Sequence, residues 1–176
     1  QPPRVILAEV TPRCPLRCTY CSNPLQLDPK SSELDTDTWK RVFTEAAELG
    51  VIHLHMSGGE PTARRDIVEL TRHAAEVGLY INLITSGIGV DDAKLDALIE
   101  AGCDHIQLSM QGADEAITQR VGGYRGGYEK KQAFARAVVA ASSAPDAASM
   151  ADVAELVDDD VVLDDDGVVL VGQPAV

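Results

Sequence analysis

No apolar run in this sequence approaches the ~18 residues that a helix needs to cross a bilayer, so no membrane span is expected. Basic residues are missing from one whole region. Residues 141–176 hold nine acids and no Lys or Arg, whereas residues 1–140 hold the other 19 acids and all 15 bases. The net charge of −13 therefore belongs mainly to the C-terminal stretch, and a chain of this sign offers little to nucleic-acid phosphates. A signal-peptide pattern is also lacking. Gln1-Pro2-Pro3-Arg4 leads directly into a strand-like run, and a cytoplasmic location is the expectation. Cysteine is scarce, and three of the four fall within eight residues. Such crowding in a chain without a disulfide-scaffold pattern points to metal or redox chemistry.

What is present reads as one globular domain with an appendage. The chain is 176 residues long and 45% apolar, enough for one sizeable core. Short β-branched runs alternate with amphipathic stretches from Arg4 to Ala140. Strands are expected at Val5–Val10, Val51–Met56, Leu79–Ile84 and His105–Met110. Helices are expected at Thr38–Leu49, Asp66–Val77 and Asp92–Ala101, the three closed by Gly50, Gly78 and Gly102. Ala113–Val121 and Tyr128–Ala140 also read as helical, separated by the flexible-looking Gly122-Gly123-Tyr124-Arg125-Gly126-Gly127. Four strand–helix units predict an α/β fold with a parallel sheet, whose site gathers in the loops after the strands' C-terminal ends. Residues 141–176 differ in kind. Met150, Val153 and Val157 fall near helical spacing, and Val161–Leu163 with Val168–Val171 suggests a hairpin across Asp164-Asp165-Asp166-Gly167.

Alternation within the strands sorts two faces. Ile6, Ile52, Leu54, Ile81, Leu83, Ile106 and Leu108 share the face expected beneath the helices. Val5, Leu7, Glu9, His53, His55, Tyr80, Asn82, Gln107 and Ser109 share the other, which suits a wet lumen. The histidines there are assigned no catalytic role.

Cys14-Pro15-Leu16-Arg17-Cys18-Thr19-Tyr20-Cys21 follows the first strand with CxxxCxxC spacing. Three thiolates on one loop suit three irons of a [4Fe–4S] cubane and leave the fourth iron open to chelate a small molecule. The alternative is zinc, which usually takes four ligands in structural sites and would lack one here. Cys103 precedes strand four, at the far end of the sheet, and reads as a core thiol. After strand two comes Ser57-Gly58-Gly59-Glu60-Pro61, where two glycines permit close backbone approach and Glu60 is a candidate acceptor for an ammonium group. Thr85-Ser86-Gly87 and Ser109-Met110-Gln111 end strands three and four with groups able to bind ribose hydroxyls.

Together these segments resemble the radical S-adenosylmethionine (SAM) superfamily. More narrowly, Leu7-Ala8-Glu9-Val10-Thr11, Cys14-Pro15-Leu16, Cys18, Tyr20-Cys21-Ser22-Asn23-Pro24-Leu25, Ser57–Pro61, Asn82–Gly89 and Asp104–Ser109 resemble the PqqA peptide cyclase family of pyrroloquinoline quinone biosynthesis. The likeness runs from about Pro3 to Ala140. It implies a partial (β/α) barrel core over residues 1–140, with 141–176 as an acidic tail. It implies that Cys14, Cys18 and Cys21 ligate the cluster, that Tyr20 lies near adenine, and that Gly58, Gly59 and Glu60 hold the methionine part of SAM. Ser86 and Ser109 fall nearer the ribose, with Arg125 a candidate for the methionine carboxylate.

The implied reaction joins a Glu and a Tyr side chain of the PqqA precursor peptide by a carbon–carbon bond, through a 5′-deoxyadenosyl radical. The implied partners are PqqA, the peptide chaperone PqqD and an external electron donor. The family pattern continues through further βα units into a cysteine-rich region with auxiliary clusters. No cysteine follows Cys103 here, so none of those clusters is expected in this chain. The competing readings are a catalytically incompetent module that binds the cluster and SAM, and a radical SAM enzyme for another peptide.

Overall fold

The structure is a computed structural model that describes residues 3–22 and 30–143, with 168–172 described as backbone. Its elements run β1 (Val5–Glu9), α1 (Thr36–Glu48), β2 (His53–Ser57), α2 (Ile67–Glu76), β3 (Tyr80–Thr85), α3 (Asp92–Glu100), β4 (His105–Ser109), α4 (Glu115–Gly122), α5 (Gly127–Ser143) and β5 (Val168–Gly172). The sheet has the order β1-β2-β3-β4-β5. Its first four strands are parallel, in the registers Leu7↔His55, His55↔Asn82 and Asn82↔His105. This is a partial barrel of βα units, as expected.

Local chemistry explains where the helices begin and end. The carboxylates of Asp35, Asp91 and Asp114 accept from the amides of Thr38, Lys94 and Ile117, satisfying orphan donors at the starts of α1, α3 and α4. Asp66 stands at the same place before α2 but makes no such cap. Its oxygens are taken by Arg64 and Thr36. At the other ends Gly50, Gly78 and Gly102 have positive φ, the conformation that closes a helix and turns the chain into the next strand.

The helices pack on the sheet face that carries Leu54, Met56, Ile81, Leu83, Ile106 and Leu108, all buried, with Phe43, Ile67, Leu70 and Leu98 above them. Each such side chain contributes about 1.5–3 kcal/mol on burial. The expected two-faced pattern holds with one correction. Ile52 lies at the rim, one residue before β2, where the chain returns from the end of α1; it is 47% exposed rather than packed beneath a helix.

β5 pairs antiparallel with β4, Val168 opposite Ser109 and Gly172 opposite His105, and so occupies the edge that four parallel strands leave. The second arm of the expected hairpin lies here. Its first arm, 161–163, and the expected helical stretch at 150–157 lie outside the described residues.

Candidate functional site

The CxxxCxxC loop leaves β1 and is pinned from three directions. Gly59 N–H donates to Thr11 O at 2.7 Å and Glu60 N–H to Arg13 O at 2.7 Å, which ties it to the loop after β2. Arg17 N–H donates to Gly122 O (2.8 Å) and Thr19 N–H to Val121 O (3.1 Å), which ties it to the end of α4. On its outer side Glu33 accepts from Thr11 Oγ1 at 2.8 Å and from Arg13 Nε and Nη2 at 2.8 and 3.1 Å. Buried Arg64 adds a clamp, donating to Val10 O at 2.9 Å, Leu34 O at 3.1 Å and both oxygens of Asp66. The sequence reading missed this buttress of Glu33, Arg64 and Asp66.

The glycines at these loop ends let main chains approach closely. Gly58 and Gly59 pack directly against the start of the cysteine loop. A Cβ on Gly58 would lie 2.4 Å from Thr11 O, and one on Gly59 2.4 Å from Pro12 O and 2.5 Å from Arg13 O. The Gly122–Gly127 segment was expected to be a flexible divider. Instead Gly122 is a buried end of α4 that accepts from Arg17 N–H, and Gly123, at φ 66°, caps that helix.

The cysteine thiols are unbonded to one another. Burial pushes the Cys14 thiol up, with Glu60, Cys18 and Cys21 adding to the effect. Burial also raises Cys18, as does Cys21, whereas Lys131 lowers it. Cys14 and Cys18, which resist losing a proton, form with Cys21 a donor set that a cationic metal centre would relieve. Among the described residues no group of three His, Cys, Asp or Glu is arranged to hold a single metal ion. A cubane spreads its three protein ligands over three irons, so the three-cysteine loop fits that centre. Cys103 is separate: it is buried in the core, donates to His105 O at 3.3 Å, and burial pushes it up to about 12.

Glu60 is only 1% exposed. Its Oε1 accepts from Thr62 N–H (3.1 Å), Thr62 Oγ1 (2.7 Å) and Thr85 Oγ1 (2.6 Å). Its Oε2 accepts from Ser86 N–H (2.7 Å) and Ser86 Oγ (2.5 Å). Five donors already fill the roughly four lone-pair directions of a carboxylate. The carboxylate thus welds the end of β2 to the end of β3, and Ser86 is spent on it.

Ser109 ends β4 half-buried, and Tyr20 is 68% exposed, its hydroxyl 3.4 Å from Gln111 Nε2. Gln111 Oε1 is buried without a partner among the described residues, an acceptor left over beside the loop. Arg125 is exposed in the turn before α5. The cation that does enter the site is Lys131, which the sequence reading missed. It is 0% exposed, and its Nζ donates to Ser86 O at 2.9 Å and Ser109 O at 2.6 Å. A Lys on the stripe that continues with Phe134, Ala135 and Val138 was the available signal.

The superfamily described as Radical SAM matches residues 8–143. This chain belongs to the radical SAM superfamily. Within it, the chain is 64% identical over 135 residues to the PqqA peptide cyclase of Methylobacterium sp. (strain 4-46), covering 77% of this chain and 36% of that protein. It is 58% identical over 134 residues to the PqqA peptide cyclase of Rhizobium meliloti (strain 1021), covering 76% and 36%. The chain thus spans about a third of the length of these curated relatives.

Among solved structures, Streptococcus suis SuiB bound to the precursor peptide SuiA superposes with a TM-score of 0.65 at 22% identity, covering 76% of this chain and 30% of that one. SuiB bound to S-adenosylmethionine gives a TM-score of 0.63 at 22% identity, covering 76% and 29%. At that identity the likeness shows the radical SAM fold.

Proposed function

We propose that Cys14, Cys18 and Cys21 hold a [4Fe–4S] cluster and that SAM binds next to it over the ends of β2, β3 and β4. The observation that carries this reading is the pair of backbone bonds from Gly59 and Glu60 to Thr11 and Arg13, which lock the two motif loops into one surface. When bound together, the cluster and SAM supply a 5′-deoxyadenosyl radical by reductive cleavage of the sulfonium, chemistry that belongs to the cofactors.

The chain's own residues place and enclose them. Tyr20, Gly58, Gly59, Glu60, Ser86 and Ser109 form the SAM side, and Arg125 is the exposed candidate for the methionine carboxylate. Glu60 and Ser86 act there chiefly by holding the loops after β2 and β3 in place, because their polar atoms are already engaged with one another. Gln111 Oε1 adds an unpartnered acceptor. In this reading residues 1–140 are the cofactor-binding unit and 141–176 an acidic appendage.

The 64% identity to a PqqA peptide cyclase supports a substrate of the same kind. The reaction would be Glu–Tyr carbon–carbon cross-linking of the PqqA precursor, presented by PqqD and driven by an external electron donor. The fold shared with SuiB, which binds a precursor peptide, is in keeping with a peptide substrate.

Anaerobic reconstitution tests the first step. About four irons and four sulfides per chain are expected. Cys14→Ala should lose them and Cys103→Ala should keep them; stoichiometric zinc without sulfide would overturn the cluster. Incubation with SAM, reductant, PqqA and PqqD, read by mass spectrometry, should give 5′-deoxyadenosine. A PqqA product two mass units lighter would establish cross-linking by this stretch alone, deoxyadenosine without it would establish SAM cleavage without cross-linking, and neither product would establish a cofactor-binding module only.

A further inference from the structure

Lys131 presents an unusual charge balance. A buried ammonium is costly unless an anion accompanies it. Both hydrogen-bond partners of Lys131, Ser86 O and Ser109 O, are neutral carbonyls at the ends of β3 and β4. Of its three N–H donors these take two. The carboxylate in its field, Glu60, is itself occupied by Thr62, Thr85 and Ser86. The other negative charges in its field are those that Cys14 and Cys18 would carry as thiolates. The cation thus lies in the field of one carboxylate, Glu60, and of two further negative charges when Cys14 and Cys18 are deprotonated.

We propose that Lys131 is the counter-cation of the three-thiolate cluster, a positioning residue whose charge favours the reduced form of the centre. The reasoning is electrostatic. A [4Fe–4S]²⁺ core with three thiolates carries a net charge of about −1, and one-electron reduction makes it about −2. A fixed positive charge in a low-dielectric wall stabilises the more negative state, so its removal makes the centre harder to reduce. Burial pulls the Lys131 ammonium down to about 8, with Glu60, Cys18 and Cys14 opposing that shift, so the group remains charged at neutral pH. The carbonyl bonds fix the charge in place, since they anchor α5 to two strand ends.

This inference rests on cluster binding by Cys14, Cys18 and Cys21, and the experiment separates the two. The reconstituted chain and the variants Lys131→Gln, Lys131→Met and Lys131→Arg are titrated anaerobically by electron paramagnetic resonance, first without SAM and then with it. Iron content is measured on each. Gln keeps amide donors for the two carbonyls without charge, Met removes both, and Arg keeps the charge.

Gln and Met should each lower the reduced-to-oxidised ratio at a fixed potential by roughly tenfold, a midpoint shift of about 59 mV for one electron. Arg should stay near the parent. Loss of the cluster in Gln and Met but not in Arg would also support the charge. Equal potentials in all four proteins would overturn it, as would a Gln variant that matches the parent while Met alone shifts, or loss of the cluster in Arg too. A shift seen only after SAM is added would assign the charge to the ligand's carboxylate and overturn it as well. A parent chain that takes up no iron and sulfide would defeat the cluster itself, whatever the variants do.

Discussion

The loop end of the sheet and its polar face are built on opposite principles. At the loop end, charged and hydroxylic groups are buried and paired: Glu60 with Thr62, Thr85 and Ser86, Arg64 with Asp66 and Val10 O, Lys131 with two strand carbonyls. On the polar face most side chains are exposed or half-buried, with Asn82 buried among them. Leu7 is 62% exposed, Tyr80 is exposed with its ring 5.0 Å from that of His53, and a hollow of about 170 Å³ runs between His53, His55, Tyr80, Asn82 and His105. The only polar chain across that face among the described residues is His55–Asn82–Gln107, at 2.9 and 3.2 Å. The lesson is that the loop end is tied together by buried polar bonds, whereas few such bonds cross the polar face among the described residues.

The largest effect that should separate the two regions is Gly58→Ala. Its φ of 130° and a Cβ 2.4 Å from Thr11 O combine backbone strain with a clash against main chain. We expect a loss of about 3 kcal/mol or more in urea unfolding, together with loss of cluster uptake. A fully stable Gly58→Ala would break the account of the two locked loops.

Next comes Glu60→Gln, which turns an acceptor oxygen into a donor facing Thr and Ser donors. A stability cost of about 2 kcal/mol is expected, with SAM binding weakened roughly tenfold by calorimetry and iron content retained. A variant that loses SAM affinity at no cost in stability would return Glu60 to a purely ligand-facing role.

A smaller effect follows from Asp66. Burial alone would raise its carboxyl, but hydrogen bonds from Arg64 and Thr36 outweigh that and hold it at about 2 instead of 3.8. A depressed carboxylate stabilises the fold fully above its ordinary pKa and loses that contribution as the pH falls through about 2. The expected loss is on the order of 1 kcal/mol after allowing for nearby solvent, and Asp66→Asn should flatten that limb of the acid-unfolding curve.

Smallest of all should be Tyr80→Ser on the polar face, within about 0.5 kcal/mol by thermal melting. A cost near that of Glu60→Gln would show that this face is packed in solution, and would remove the contrast.

The sequence disclosed some of this and hid the rest for physical reasons. Strand and helix positions were readable because β-branched runs alternate with amphipathic stretches and Gly50, Gly78 and Gly102 stop the helices, all through local chemistry. The cysteine loop was readable from spacing. The close packing of Gly58 and Gly59 against residues 11–13 was not, because those residues lie far away in the chain. Glu60 looked like a ligand acceptor because its donors come mostly from Thr85 and Ser86 across the β2–β3 junction. Lys131 was hidden beside Lys130, which is exposed; two adjacent lysines on a helix read as a solvated face unless the phase of Phe134 and Val138 is tracked back one turn.

The bonds that complete the cysteine loop's surroundings also set an order of events. Arg64 reaches back 54 residues to Val10, Glu60 waits 26 residues for Ser86, and Ser86 waits a further 45 for Lys131. Each is a long loop closure whose entropy must be met before the contact forms. During synthesis from the N-terminus, the cysteines therefore emerge long before the wall that shelters them exists. Three bare thiols on a nascent chain are open to oxidation and to stray metals throughout that interval. For the proposed cluster, loading is then best timed after α5 has docked, as a late step in the maturation of this fold.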